Sequence, residues 1–137
     1  MQEFFWIILG VVLAGGFVLA ARRAGRFERE KLAYGTGLAA AALIYAGFGL
    51  FSRSTGWILT ELGGVAIYTV FAVLGIRRSG WFLAIGWALH MVWDLVLHDA
   101  STEFVPRWYQ LLCLGFDLCL AGYIGLREWK LKSGLPV

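Results

Sequence analysis

Apolar residues fill the chain in five long runs, roughly 4–21, 32–51, 57–76, 81–98 and 108–126, and polar residues gather in the short stretches between them. A helix needs about 20 mainly apolar residues to cross the hydrocarbon of a bilayer, and each run meets or approaches that length. None of them alternates polar and apolar positions as the wall of a membrane β-barrel would. The pattern predicts an all-α integral membrane bundle of five transmembrane helices, forming one domain over residues 1–137. The connections 22–31, 52–56, 77–80 and 99–107 are short enough to force neighbouring helices antiparallel, and they leave no room for a soluble domain.

Composition sharpens this picture. Sixty per cent of the residues are hydrophobic and 15% are charged, against about 45–50% and about 25% in soluble domains. A globule of 137 residues could not hide so much apolar surface in its own core, so the lipid bilayer is the partner that covers it. The first run is not read as a cleaved signal peptide: Met1, Gln2 and Glu3 supply no basic leader, and the arginines follow the apolar stretch instead.

The net charge of +3 would suggest a nucleic-acid partner only if position were ignored. Ten of the twelve lysines and arginines fall in 22–31, 77–78 and the tail from Arg127, leaving Arg53 and Arg107 on the other side. By the positive-inside rule the N-terminus is outside and the C-terminus cytoplasmic, as in a multi-pass protein of a bacterial inner membrane, with no nucleic acid expected. Trp6, Trp57, Trp81, Trp108 and Trp129 stand at or near the ends of the runs, where an indole buries its ring and keeps its N–H in water. The Arg22–Lys31 stretch could attract anionic headgroups, although a solvated topogenic loop accounts for it. Small residues (Gly10, Ala14, Gly15, Ala42, Ala46, Gly49, Gly115, Gly122) allow close helix approach, either inside one chain or in a homo-oligomer or larger membrane complex.

Against this background five side chains are out of place. His90, Asp94 and His98 follow one another at intervals of four in the fourth run, so they lie within about 80° of one helical face over roughly 12 Å. Glu61 sits in the third run and Asp117 in the fifth. Counting the rise from the run ends sets Asp117 level with His90, and Glu61 level with Asp94, all in the outer half of the membrane. Ionised Asp at the centre of a membrane helix costs about 2.5–3.5 kcal/mol on insertion scales, so something must offset it.

Three functional classes share that geometry. His90, Asp94 and Asp117 form one possible metal site, and Asp94, His98 and Glu61 a second, with Glu61 and His98 at an outward mouth. Mixed nitrogen and oxygen donors suit zinc, iron or manganese. The same residues without metal are acid–base partners for catalysis on a lipid, and Asp/His/Glu chains also line proton or ion paths. Against these stands a structural or assembly subunit, in which His90–Asp117 and His98 with Asp94 or Glu61 are struts that fix helix register. Whether the chain is an enzyme stays open. No nucleotide motif is present, and haem is not expected because both histidines are on one helix. Gln110 and Cys113 share a face with Asp117; Trp87 and Trp93 flank His90; Asp99 and Glu103 are placed to gate the mouth. Cys113 and Cys119, six apart, face different ways and do not bridge.

The stretch GWALHMVWDLVLH at 86–98, followed by FVPRWYQLLCLGFDL at 104–118, resembles a family of small, functionally uncharacterised bacterial multi-spanning membrane proteins. The resemblance implies a helical membrane fold and brings no activity with it. The spacing from His90 to Asp94 is also similar to the H-x3-acid of emopamil-binding, sterol-isomerase-like membrane proteins, although the remainder of that pattern is absent.

Overall fold

The computed structural model describes residues 2–98 and 104–134. Five α-helices follow one another: α1 Gln2–Arg22, α2 Phe27–Phe51, α3 Thr55–Arg77, α4 Gly80–Leu97 and α5 Arg107–Lys132. All five are long and apolar enough to cross a membrane. All the helices but α4 run past the expected spans, most of all α5, which continues to Lys132, and α2, which begins inside the stretch read as a basic loop. Only residues 23–26 remain to connect α1 and α2, and Gly25, at φ 79°, takes the left-handed turn there. Arg53, at φ 54°, turns the chain between α2 and α3.

The bundle is turned inside out relative to a soluble protein. Its surface carries Phe4, Val12, Leu19, Leu43, Leu62, Val70, Val96 and Leu118, while Glu30, Glu61, His90, Asp94, His98, Gln110, Asp117 and Glu128 are buried. Water would not accept that exterior, whereas lipid would. The chain is therefore a multi-pass helical protein of membrane-spanning character.

α4 is the central post, packed against α2, α3 and α5. α2 lies along α3, and α1 lies along α5 but barely touches α2. The α1–α5 seam is the tightest in the molecule. A Cβ on Gly10 would overlap the Leu112 carbonyl oxygen, and one on Gly115 would overlap the Ile7 carbonyl oxygen. Two glycines, one from each helix, thus let the backbones meet in a place where any side chain would hold them apart. Gly15 and Gly122, which carry the same expectation in sequence, have nothing near them.

Antiparallel order brings the end of α1, the start of α2, the end of α3, the start of α4 and the end of α5 to one end of the bundle, which carries ten of the twelve basic residues. Several pairs knit that end together. Arg127 reaches Glu30 at 3.1 Å, Tyr34 donates to the same carboxylate at 3.0 Å, and Ser79 donates to Glu128 at 2.6 Å while capping α4. Lys31, expected in a solvated loop, is buried and paired with Glu28 at 2.7 Å.

Candidate metal centre

One helical turn separates His90 from Asp94, so both point to the same side of α4. That side faces α5, which presents Asp117 from its own buried stripe of Gln110, Cys113, Asp117, Leu120 and Ile124. His90 Nδ1 lies 2.8 Å from Asp117 Oδ2 and 3.8 Å from Asp94 Oδ2. The ligand-capable atoms of the three residues are within 4.8 Å of one another, and all three side chains are buried. Zinc-like ions sit about 2.0–2.2 Å from nitrogen and oxygen donors, so two ligands on opposite sides stand at most about 4.4 Å apart. Donors in tetrahedral coordination stand closer, about 3.3–3.6 Å apart, so the set is capable of closing on a divalent ion once the more distant carboxylate moves inward by about an ångström.

Hydrogen bonding within the trio is lopsided. Asp117 is held by His90, whereas Asp94 has only the Tyr45 hydroxyl beside it and His90 Nδ1 at 3.8 Å, and His90 Nε2 has no hydrogen-bond partner. Asp94 is only 2% exposed, so bulk water does not reach it. The lysines and arginines stand at the helix ends, away from this level. Two aspartates face one histidine, so even a fully protonated imidazole leaves one negative charge unbalanced. Neutrality there requires a cation, or a proton on a carboxylate.

Glu61 and His98 form a neighbouring pair rather than part of that trio. His98 Nε2 is 2.9 Å from Glu61 Oε1, with both side chains buried. Gln110 donates to the His98 carbonyl oxygen at 2.6 Å, tying α5 to the end of α4. The rings of Tyr45, Trp57 and Phe104 stand 5.0, 5.8 and 5.7 Å from the His98 ring and roof the pair over. Among the described residues the three-ligand group consists of His90, Asp94 and Asp117. The gate expected at Asp99 and Glu103 lies outside the described residues.

Tyr45 of α2 is a further central member, which the out-of-place charged residues alone do not reveal. Its ring meets His90 at 5.4 Å and His98 at 5.0 Å, and its buried hydroxyl stands beside the Asp94 carboxylate. The signal was present: Tyr34, Leu38, Ala42, Tyr45 and Gly49 repeat at intervals of four, four, three and four, which is one helical face. Tyr68 packs its ring 5.0 Å from His90 and anchors its hydroxyl on the Leu89 carbonyl. Trp93 packs on Tyr68 and lies over Gly64, whereas Trp87 is buried beside His90 with its indole N–H unpartnered.

A family model, described as a family of unknown function (DUF6010), matches residues 5–130, nearly the whole chain. The chain belongs to the DUF6010 family. All five helices lie wholly or almost wholly within the match, and so do His90, Asp94, Asp117, Glu61 and His98. No curated protein and no solved structure matches the chain, so the similarity to emopamil-binding proteins rests on the His90–Asp94 spacing alone.

Proposed function

We propose that this DUF6010 chain binds a divalent metal ion (zinc, iron or manganese) through His90, Asp94 and Asp117, inside the membrane. The observation that carries the reading is the convergence of three buried ligand groups, His90, Asp94 and Asp117, with Asp94 set beside a histidine already committed to Asp117. Charge balance favours a divalent ion in particular: two carboxylates and a neutral imidazole neutralise one such ion, and the centre then carries no net charge in a medium that tolerates none. Glu61 and His98 balance each other separately and flank the centre toward the end that carries Arg53 and Arg107. The asymmetry of basic residues favours that end as the outer one, with the C-terminus in the cytoplasm.

The protein's own contribution is to orient and to exclude water. Asp117 fixes the imidazole ring, Tyr45 and Tyr68 wall it from α2 and α3, and Asp94 is held within reach by its place one turn from His90. A bound divalent ion would supply Lewis-acid polarisation of an oxygen brought to it. Conduction is less favoured. Leu38, Leu83, Leu120 and Ile124, all fully buried, separate this centre from the Glu30–Arg127 cluster at the other end.

Thermal unfolding in mild detergent tests the proposal. Zinc or manganese at about 100 times its dissociation constant should stabilise the folded state by about 2.7 kcal/mol, and chelator should remove the gain. The gain should vanish in Asp94→Asn. Equal stabilisation of wild type and Asp94→Asn by every metal tried would refute the assignment, and would favour a metal-free acid–base centre in which Asp94 carries the proton.

A further inference from the structure

The helices leave an opening on one side of this centre. α2 and α5 do not approach at backbone distance, and α1 contacts α2 only weakly. Between them is a cleft of about 260 Å³, walled by Leu13 and Phe17 of α1, Ala41 and Ile44 of α2 and Phe116 of α5. Leu13 and Ile44 are exposed at its lip, so it opens sideways, toward lipid, rather than along the bundle axis. Gly37, Ala40 and Ala41 keep it open from the α2 side, because larger residues there would fill it. A Cβ on Gly37 would already press on Phe17 and on the Cζ2 edge of Trp87.

Two features separate this cleft from an ordinary apolar furrow between helices. Asp117, the aspartate that holds His90, is in its lining. Trp87 lines it too, 1% exposed, with an indole N–H that has no hydrogen-bond partner. A buried donor left unmade is costly, and in hydrocarbon no water can reach it. The apolar groove over Ile67, Leu89, Val92 and Val96, between α3 and α4, has neither feature, and Tyr68 at its edge is already bonded to Leu89.

We infer that the cleft admits a neutral membrane lipid, an apolar chain bearing one uncharged oxygen such as an alcohol or carbonyl, and presents that oxygen to Trp87 and Asp117. The ligand is a lipid because the cleft opens on the lipid-facing side of a membrane-spanning bundle. It is neutral because Asp117 already contributes negative charge to the lining. The oxygen is needed because it is what the Trp87 N–H lacks. The assignment rests on the metal-centre reading and deepens it, since it names the class of molecule that would reach that centre; the two share Asp117, while Trp87 and the cleft walls belong to the lipid site alone.

Photolabelling tests it in the full chain reconstituted into nanodiscs. The probes are a diazirine-bearing hexadecanol, the matching diazirine hexadecane, and a diazirine phosphatidylcholine. The alcohol should label Leu13, Phe17, Ala41 and Ile44 in preference to Leu19, Val70 and Leu118, which are exposed elsewhere on the bundle. The alkane and the phospholipid should label both sets alike. Unlabelled hexadecanol should compete, and Trp87→Phe should raise the competing concentration about fivefold, the worth of one hydrogen bond. Ala41→Phe, which fills the cleft from its lip, should abolish preferential labelling while leaving helicity and metal content as in wild type. Uniform labelling by the alcohol, equal preference for the alkane, or cross-links between two copies of the chain through α1 and α2 would each overturn the inference. Metal content measured on the same samples keeps the two claims apart. Metal bound with no cleft labelling sinks the lipid site alone, and cleft labelling without metal sinks the metal centre alone.

Discussion

Asp94 of α4 and Asp117 of α5 face the same histidine, but their surroundings give them different consequences on mutation. Asp117 is half of a buried pair with His90 at 2.8 Å. Removing one member of such a pair costs about 3–5 kcal/mol, because its partner is left charged and unpaired. Replacing both with apolar residues of similar volume is often neutral or stabilising. His90→Leu with Asp117→Leu should therefore melt in detergent no lower than the metal-free wild type and bind no metal, while Asp117→Leu alone should melt well below both. Asp94 has only the longer 3.8 Å contact with His90 and the Tyr45 hydroxyl beside it, which an amide also satisfies, so Asp94→Asn should raise the melting temperature of metal-free protein as it removes the metal response. A lower melting point for Asp94→Asn in chelator would mean that the Asp94 charge has a structural partner, contrary to this account. The residue types and spacing of His90 and Asp94 made their shared face readable from sequence, and counting the rise in two helices set Asp117 opposite. The partition of five groups into a trio and a separate pair was not readable. Whether Glu61 meets Asp94 or His98 depends on helix rotation and on the aromatic roof of Tyr45, Trp57 and Phe104, which no spacing encodes.

The seam between α1 and α5 depends on Gly10 and Gly115. Gly115→Leu should force the helices apart at the Ile7 carbonyl and lower stability by at least the roughly 1–3 kcal/mol typical of overpacking. Gly122→Leu, with open space around it, should change little. Equal effects of the two, read by thermal melts, would contradict the packing described. Both glycines were visible in sequence as small residues on apolar runs, but only helix rotation tells which of them faces a neighbour. Helix ends were less legible than helix existence. α2 begins at Phe27 because Glu30 and Lys31 find partners in Arg127, Tyr34 and Glu28, so charges that read as a loop are absorbed into the first turns. Orientation is tested at the same scale. In a background lacking Cys113 and Cys119, a cysteine at Thr55 should react with an impermeant thiol reagent on intact cells, and one at Ser133 should not. The reverse pattern would turn the bundle over.

At the scale of the whole molecule, the polar groups occupy two levels, one at each end, with a fully buried apolar layer of Leu38, Leu83, Leu120 and Ile124 between them. At the basic end Glu30 is answered by Arg127, and Glu128 by Ser79 with Lys132 nearby, so each of these buried carboxylates has a partner. At the other level Glu61 is answered by His98, and the His90–Asp94–Asp117 trio is left one charge short. That deficit in a lipid-facing bundle is the central claim, and elemental analysis joined to X-ray absorption at the metal edge addresses it most directly. Protein extracted straight from membranes, without chelator and without a polyhistidine tag, should carry close to one zinc, iron or manganese per chain. Its first shell should consist of nitrogen and oxygen at about 2.0–2.2 Å, a scatter pattern that sulfur from Cys113 would not give. Wild-type protein with no bound metal, or with metal that persists undiminished in the His90→Leu, Asp117→Leu double variant, would contradict the account.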